Sequence, residues 1–260
     1  MGIVNVTPDS FSDGGRFFEH DDAIEHARAL VEAGAAVIDI GGESTRPGAA
    51  PVDVSEELAR VLPVVTELRA TSRVIISVDT TKPDVARAVL GAGADIVNDV
   101  RGGRDPELLD VIAEHDAGLV LMHMLGEPRT MQDDPRYADV VAEVGRFLAR
   151  QVAAATDAGV RRDAILADPG IGFGKTSTHN LALLGNVDRV AAVAGAPIVI
   201  GASRKRTLAA IVGDDLAARD DATLAVTVIS FALGAVMVRV HDVAASVAAA
   251  RWMESIEVAA

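Results

Sequence analysis

Side chains that can bind or titrate stand at the end of each of eight short apolar runs or shortly after it. They are Asn5, Asp39, Asp79, Asn98-Asp99, His123, Asp168, Gly201-Ala-Ser-Arg-Lys205 and Arg239-Val-His241. A single Asp or Asn after a strand usually caps a helix or forms a turn, and we interpret Asp99 and Asp242 in this way. Asp39 is interpreted as partly structural, since a buried carboxylate can hold a neighbouring loop. Polar groups at all eight positions nevertheless indicate one shared binding site.

One subset of these residues is suited to binding anions. Arg46, Arg239 and His241 are predicted to converge on one or two phosphate groups, because arginine forms forked hydrogen bonds to phosphate oxygens. Ser203 is predicted to cap a helix whose free N–H groups also face the site. Asn5 supplies a neutral oxygen, which suits Mg²⁺ bound largely by water and phosphate.

A second subset is suited to a flat, polar heterocycle. Asp79, Asn98, Asp168 and Lys205 offer carboxylate acceptors, an amide that both donates and accepts, and a fixed cation. A carboxylate can accept two parallel N–H bonds from the edge of an aminopyrimidinone ring. A wrong ring would leave these groups unpaired, which costs several kcal/mol or about 10⁴-fold in rate. No Ser-His-Asp or Cys-His nucleophile set is evident in the sequence.

The three lysines of the chain all follow predicted strands, although arginine is the common basic residue elsewhere. Lys205 is the candidate for a functional role, whereas Lys82, next to Pro83 at a predicted helix start, is interpreted as structural. Lys175 is equally compatible with contacting a ligand and with bracing its loop. Replacing Lys205 or Arg239 is expected to remove most activity and to leave the fold intact.

The eight apolar runs have the length and composition of buried parallel strands. They cover residues 2–5, 36–40, 74–79, 95–98, 118–123, 164–168, 197–201 and 235–240. Near-continuous apolar runs are typical of strands covered on both faces. Their alternation with longer amphipathic segments predicts an α/β fold, a (β/α)8 TIM barrel forming a single domain over residues 1–260, with its site at the strands' carboxyl ends. An open doubly wound sheet is the main alternative, but no G-x-G-x-x-G follows the first strand and no P-loop sequence is present.

Helix signals agree with this alternation. Apolar stripes at helical spacing are Ile24, Ala27 and Val31, and Leu58, Val61, Leu62 and Val65. Asp53 begins a capping-box pattern, and Asp105 precedes Pro106 at another predicted helix start. Gly34 and Gly93 are predicted to end helices ahead of the next strand.

Composition excludes several classes of function. The chain contains no cysteine, so disulfides, thiolate metal sites and cysteine nucleophiles are excluded. A net charge of −14 disfavours binding to nucleic acid or to an anionic membrane, but it permits an anionic small substrate bound by local positive charge. No apolar run of about 18 residues could span a membrane, and no basic segment of a signal peptide precedes Ile3. A cytoplasmic protein is therefore expected.

Motifs along nearly the whole chain resemble those of the dihydropteroate synthase family. The first is Met-Gly-Ile-Val-Asn-Val-Thr-Pro-Asp-Ser-Phe-Ser-Asp-Gly-Gly at residues 1–15, and the second is Asp-Ile-Gly-Gly-Glu-Ser-Thr-Arg-Pro-Gly at residues 39–48. The others, in family order, are Ser77-Val-Asp-Thr, Asn98-Asp, Leu121-Met-His-Met, Asp168-Pro-Gly-Ile-Gly-Phe-Gly-Lys, Gly201-Ala-Ser-Arg-Lys and Arg239-Val-His-Asp. The family usually carries a further segment ahead of the first motif, so we expect a barrel bottom that is less covered.

The resemblance implies a transferase of folate biosynthesis. Such an enzyme joins 6-hydroxymethyl-7,8-dihydropterin diphosphate to p-aminobenzoate, releases diphosphate and forms 7,8-dihydropteroate, with Mg²⁺ as cofactor and as a homodimer.

The resemblance also implies roles for individual residues. Asp79, Asn98, Asp168 and Lys205 would hold the pterin, Arg239 would stack on it, and Asn5 would meet Mg²⁺. Arg46, Arg239 and His241 would bind diphosphate, and these three with Lys205 are the implied catalytic residues. Thr45, Pro47 and Phe173 would border the p-aminobenzoate pocket. Loops over residues 7–16, which carry Phe11, and over residues 43–51 would close it.

Two other functions remain open on the sequence alone. A methyltetrahydrofolate methyltransferase domain shares the barrel and the pterin pocket, but its corrinoid partner should not need two flexible loops or the pair Arg239 and His241. The other is that of an inactive pterin-binding or regulatory paralogue. Such a chain should have lost Asn5, Arg46 or Lys205, and all three are present.

Overall fold

All eight strands expected from the apolar runs form. A computed structural model of the chain describes residues 1–6, 16–44, 51–128 and 130–259. The strands are β1 (Gly2–Asn5), β2 (Val37–Gly41), β3 (Ile75–Asp79), β4 (Ile96–Asp99), β5 (Gly118–Met122), β6 (Ile165–Asp168), β7 (Val199–Ile200) and β8 (Met237–Val238). The two-residue strands β7 and β8 are shorter than the runs that predict them, and isolated bridges extend the pairing around them.

The strands follow one another around a closed ring of parallel pairs. β1 to β6 form one continuous parallel sheet, and β7 pairs with β8. Parallel bridges between Ala167 and Ile198 and between Gly2 and Val240 join these two sheets at both edges. Backbone hydrogen bonds of 2.9 Å from Ala167 N and from Val240 N lie at the two joints. The predicted (β/α)8 barrel is thereby confirmed.

Helices connect the strands and cover the outside of the ring. In the described ranges they are α1 (Arg16–Glu32), α2 (Val54–Thr71), α3 (Pro83–Gly91), α4 (Pro106–Glu114), α5 (Val140–Asp157), α6 (Ser177–Leu184), α7 (Val187–Ala194), α8 (Arg206–Val212), α9 (Leu216–Ala232) and α10 (Val243–Ala259), with a short 3-10 helix at Arg162–Ala164. Strand β2 is buried along its whole length, which explains why such runs are apolar without alternation. No helix within the described residues combines the length and the apolar character needed to cross a membrane.

The buried face of α2 differs from the stripe that the sequence predicts. The fully buried apolar residues of α2 are Val61, Val64, Val65 and Leu68. Leu58 and Leu62 are only partly covered and pack at the margin of the core. Since one helix can satisfy the i, i+3, i+4 spacing with two overlapping sets of residues, the packing partners decide which set is buried.

Helix ends that depend on single residues are confirmed. The side chains of Asp53 and Asp105 accept hydrogen bonds from backbone N–H groups at the starts of α2 and α4, at 2.8 and 3.0 Å. Gly34 and Gly93 follow α1 and α3 with φ of 96° and 105°, a conformation that favours glycine. The two aspartates thus mark where α2 and α4 begin, and the two glycines end α1 and α3 where the chain must return to the ring.

Candidate active site

A buried network of side chains joins β2, β3, β4 and β8 near their carboxyl ends. The fully buried Asp39 carboxylate accepts hydrogen bonds from Arg239 Nε (2.6 Å), Asn98 Nδ2 (3.1 Å) and Ser77 Oγ (2.5 Å). Three donors, one of them the cationic guanidinium of Arg239, satisfy a carboxylate that could not otherwise be buried. Asp39 therefore has the structural role expected of it, and it orients two residues that the sequence assigns to the ligand.

Asp79 ends β3 beside Asn98, its partner in the strand register. Its Oδ2 lies 3.3 Å from Arg239 Nη2, so Arg239 bridges the carboxylates of Asp39 and Asp79. Burial raises the pKa of Asp79 to about 7, although the Arg239 guanidinium opposes this shift. Asp79 therefore changes its charge near neutral pH.

Asp168 ends β6 and is also buried. Its Oδ1 accepts a hydrogen bond from Gly170 N at 2.7 Å, and burial raises its pKa against the opposing charge of Lys205. A Cβ placed on Gly201 would stand 3.4 Å from Asp168 Oδ2 and 3.9 Å from the Cβ of Arg239. The glycine at this position keeps the space between Asp168 and Arg239 open, which suits a flat ligand.

Lys205 stands at the start of α8 and reaches back to the loop after β6. Its Nζ donates to the Ile171 carbonyl at 2.6 Å and lies 4.4 Å from the centroid of the Phe173 ring. Burial lowers the pKa of Lys205 to about 8, while Asp168 opposes that shift. Phe173 is predicted to border the p-aminobenzoate pocket, and Lys205 is predicted to bind the pterin. The Phe173 ring thus contacts the Lys205 ammonium.

The five side chains that the sequence assigns to the pterin form one connected group: Asp79, Asn98, Asp168, Lys205 and Arg239. The charges of Asp168 and Asp79 raise the pKa of Lys205, and that of Arg239 lowers it, so these four groups interact. Asn98 joins them through Asp39, which it shares with Arg239. The group contains two acceptors, one amide and two cations. It can therefore pair with a ring that carries both N–H donors and acceptor atoms at its edge.

Ser203 binds His241 instead of capping a helix. Its Oγ lies 2.9 Å from His241 Nδ1 and also accepts from the His241 backbone N–H at 3.3 Å. Helix α8 begins only at Arg206, with Lys205 at its N-cap and no side-chain cap. The predicted cap at Ser203 is therefore wrong, because the helix starts further along the chain. The hydroxyl instead orients the His241 ring after β8.

Lys175 braces the loop after β6. The side chain is buried, and its Nζ lies 2.9 Å from His123 Nδ1 and 2.9 Å from the carbonyl oxygens of Gly170 and Phe173. Its contacts are thus made within the protein, and of the two roles open to Lys175 the structure favours bracing.

Lys82 ties a loop to two helices. Its ammonium forms ion pairs with Glu43 and with the fully buried Glu57 of α2. The Glu43 carboxylate also accepts from the backbone N–H of Val52 at 3.2 Å, which links the two flanks of residues 45–50. The structural interpretation of Lys82 is confirmed.

Asp99 and Asp242 form a turn and a cap, as expected. Asp99 accepts from the backbone N–H groups of Arg101 (2.8 Å) and Gly103 (2.6 Å). Asp242 accepts from Ala245 N at 3.1 Å at the start of α10. Neither residue is assigned a ligand.

Several predicted site residues are not described. Thr45, Arg46, Pro47 and Phe11 lie outside the described residues, so their predicted roles stay predictions. Asn5 is described at the end of β1, where it pairs in register with Gly41 of β2.

Ser77 and Gly201 have roles that were not read from the sequence. Ser77 donates to Asp39, and Gly201 leaves room beside Asp168. The signal for Ser77 was available, since a carboxylate inside the apolar strand β2 requires buried donors on a neighbouring strand. Gly201 carried no such signal, because strand ends often contain glycine for other reasons.

Substituting Gly170 by alanine is expected to destabilise the fold by more than about 3 kcal/mol. The new Cβ would lie 1.9 Å from the His123 carbonyl oxygen, and the residue has a φ of 67°. Urea denaturation measures the loss. Gly91→Ala is the matched control: it lies at the end of α3 with no atom within 4 Å of its Cβ, and it should keep or slightly raise stability. Equal stability of the two variants would contradict the close contact.

Known proteins are similar to this chain over nearly its whole length. A family model described as pterin binding enzyme matches residues 1–241. The chain is 46% identical over 255 residues to the dihydropteroate synthase of Escherichia coli (strain K12), covering 98% of this chain and 90% of that relative.

Solved structures are similar over the same length. The dihydropteroate synthase of Xanthomonas albilineans with 4-aminobenzoic acid has a TM-score of 0.92 at 46% identity, covering 99% of this chain and 92% of that one. The same enzyme in complex with 7,8-dihydropteroate has a TM-score of 0.89 at 43% identity, with 99% and 92% covered. Because the family model covers residues 1–241 and identity at this level extends over almost the full length, the chain belongs to the dihydropteroate synthase family of pterin-binding enzymes.

Proposed function

We propose that the chain condenses 6-hydroxymethyl-7,8-dihydropterin diphosphate with p-aminobenzoate to give 7,8-dihydropteroate and diphosphate. The observation that carries the proposal is the connected group of Asp79, Asn98, Asp168, Lys205 and Arg239 at the strands' carboxyl ends. Substrate sites of (β/α)8 barrels form at this rim. The relatives support the substrate class, since the X. albilineans enzyme was solved with 4-aminobenzoic acid and with 7,8-dihydropteroate.

The buried group is suited to select the pterin ring. Asp79 and Asp168 can accept N–H bonds from the ring, and Lys205 can donate to its carbonyl or imine atoms. Asn98 is held by Asp39, so its amide is oriented before a ligand arrives. Arg239 is held by two carboxylates, and a planar guanidinium held in this way can stack on an aromatic ring.

The reaction needs charge stabilisation rather than a protein nucleophile. The bond between the pterin methylene carbon and the diphosphate oxygen breaks, and the ring delocalises the positive charge on that carbon. A bond to the p-aminobenzoate nitrogen forms, and the amine loses a proton to solvent. Arg239 and His241, with the predicted Arg46, would stabilise the departing diphosphate and hold the reactants in line.

Asn5 fits Mg²⁺ as one ligand among others supplied by substrate and water. Within the described residues, no group of three or more His, Asp or Glu side chains could hold a metal ion. Asn5 offers a single amide oxygen at the end of β1, which suits an ion that arrives with phosphate and water oxygens. When bound, Mg²⁺ would neutralise charge on the leaving diphosphate.

Phe173 would form one wall of the p-aminobenzoate pocket. Its ring packs against a small apolar cluster made of Val100, Met122, Met124 and Met131, and it contacts the Lys205 ammonium on another side. An aromatic ring fixed between apolar and cationic neighbours can face a second aromatic ring.

A diphosphate-release assay tests the proposed reaction. Purified protein with both substrates and Mg²⁺ should release diphosphate in amounts equal to the 7,8-dihydropteroate formed. Leaving out p-aminobenzoate should stop formation of 7,8-dihydropteroate. Absence of diphosphate release with all components present would overturn the proposal.

The affinity for 7,8-dihydropteroate is expected to be greatest between about pH 7 and about pH 8. Asp79 accepts as a carboxylate and its pKa is raised to about 7 by burial, so binding weakens as the pH falls below that value. Lys205 donates as an ammonium and its pKa is lowered to about 8 by burial, so binding also weakens as the pH rises above that value. Each limb should approach about tenfold per pH unit, and calorimetric titration across this range measures both.

The variant Asp79→Asn serves as the control for this pH profile. It removes the contribution of Asp79 to the acidic limb, so that limb should move to lower pH or become shallower, while the alkaline limb set by Lys205 stays. Asp168, whose pKa burial also raises, accounts for the acidic limb that remains. A profile that is flat in the wild-type protein would contradict the assigned ionisations.

We further propose a cytoplasmic homodimer that forms through α9 and α10. These helices pack against each other and expose large apolar side chains: Val228, Ile229, Trp252 and Ile256. Trp252 is 72% exposed in the single chain. An exposed apolar patch of this kind is typical of an interface. Sedimentation should give a dimer that Trp252→Glu disrupts, and a monomeric wild-type protein would contradict the proposal.

A further inference from the structure

Five consecutive backbone carbonyls in the loop after β6 are held by side chains. Lys175 binds the carbonyls of Gly170 and Phe173 at 2.9 Å each, and Lys205 binds Ile171 at 2.6 Å. Gln132 binds the carbonyl of Gly172 (2.6 Å), and the Tyr137 hydroxyl binds that of Gly174 (2.9 Å). All five carbonyls are therefore paired, although the loop has no regular secondary structure.

The Lys175 ammonium lies at the centre of this arrangement. It is 3% exposed, and its Nζ lies 2.9 Å from Gly170 O, Phe173 O and His123 Nδ1 and 3.3 Å from His123 O. Burial lowers the pKa of His123 to about 2, so the imidazole is neutral and its Nδ1 can accept. Burial lowers the pKa of Lys175 well below its ordinary value, and the charge of Asp168 opposes that shift. A side chain that cannot donate would leave the Phe173 carbonyl without its bond from Lys175 and would remove one of the two donors to the Gly170 carbonyl.

The turn held by Lys175 positions Lys205. Phe173 N donates to Gly170 O at 3.1 Å, so Lys175 binds the carbonyls at both ends of the turn formed by residues 170–173. Both contacts that hold the Lys205 ammonium, the Ile171 carbonyl and the Phe173 ring, belong to the same turn. A shift of the turn must therefore move the Lys205 ammonium.

We propose that Lys175 is a positioning residue for ligand binding: it fixes the turn over residues 170–173, and through that turn it sets where the Lys205 ammonium and the Phe173 ring stand. The inference rests on the proposed function, because it assigns Lys205 to the pterin. Lys175 itself is buried beneath the turn and need not touch the ligand.

A double-mutant cycle tests whether Lys175 acts through Lys205. The variants are Lys175→Met, Lys205→Ala and the double variant, with the dissociation constant of 7,8-dihydropteroate measured by calorimetry. Lys175→Met should weaken binding about tenfold and Lys205→Ala about 100-fold. The double variant should lose clearly less than the product of the two single losses, because moving an absent ammonium has no effect and only the shift of the Phe173 ring still weakens binding. Additive losses in the double variant, or wild-type affinity in Lys175→Met, would overturn the proposal.

Arg69→Met separates positioning from general loss of stability. Arg69 also binds a loop carbonyl, that of Gly93 at 2.9 Å, but it does so ahead of β4, at the amino ends of the strands. This variant should lower the melting temperature, as Lys175→Met does, and should leave the affinity for 7,8-dihydropteroate unchanged. Equal weakening of binding by both variants at equal loss of stability would assign Lys175 a purely structural role.

His123→Leu provides the same test if Lys175→Met does not fold. It removes one acceptor of the ammonium and leaves both loop carbonyls bonded, so binding should weaken less than in Lys175→Met but in the same direction. Unchanged binding in folded His123→Leu would count against the proposal. A wild-type protein that does not bind 7,8-dihydropteroate would instead contradict the proposed function, which keeps the two failures distinct.

Discussion

Replacing Arg239 by methionine is expected to lower kcat/KM by at least about 100-fold and the free energy of unfolding by about 3–5 kcal/mol. The activity loss follows from removing a cation that the proposed reaction places beside the ring and the leaving diphosphate. The stability loss follows from Asp39, which is fully buried and would lose its arginine partner at 2.6 Å. Steady-state diphosphate release and urea denaturation at pH 7 measure the two effects.

This expected stability loss revises the prediction from the sequence alone, which is that replacing Arg239 removes activity and leaves the fold intact. Arg28→Met is the matched control, since Arg28 also pairs with a carboxylate, Glu67, at 2.7 Å, but both side chains are about half exposed. An exposed pair contributes less than about 1 kcal/mol, so this variant should keep its stability and activity. Equal unfolding free energies for the two variants would show that Arg239 does not support the buried carboxylate.

Lys205→Ala is expected to lower kcat/KM by about 100-fold to 1,000-fold with little loss of stability. The Lys205 ammonium is one of two cations among the five side chains assigned to the pterin, and it lies 2.6 Å from the Ile171 carbonyl oxygen. Burial lowers its pKa to about 8, below the usual value for an unfolded lysine. A lysine whose pKa falls on folding disfavours the folded state at pH values below the folded pKa. Its removal at pH 7 should therefore be nearly neutral for stability, in contrast to that of Arg239.

The neighbouring residue supplies the control for Lys205. Arg206 is exposed, follows the same motif and is assigned no role in the site. Arg206→Ala should match the wild-type protein in diphosphate release and in urea denaturation. Wild-type turnover in Lys205→Ala would show that Lys205 is not part of the proposed site. A large loss of stability in the same variant would contradict the inference that the charged Lys205 side chain disfavours the folded state at pH 7.

The sequence by itself determined the class of fold and the location of the site. Strands in a closed parallel barrel are buried on both faces, so continuous apolar runs mark them without any tertiary information. Residues at the end of each run or shortly after it must stand at the carboxyl rim, and Asp79, Asn98, Asp168, Lys205 and Arg239 could be assigned to the rim on that basis. Caps such as Asp53 and Asp105 were predictable because each depends on a few adjacent residues.

Only the tertiary structure decided how those residues divide their roles. Arg239 binds Asp39 across 200 positions of sequence, and Ser203 binds His241 across 38, so neither contact has a local signal. The contact of Lys175 with His123, which follows β5, favoured the bracing role of Lys175 over contact with a ligand. The shifted pKa values of Asp79 and Lys205 depend on burial by neighbours that converge only when the ring closes. Local patterns report what a segment can form, whereas partner choice and desolvation depend on residues far away in the chain.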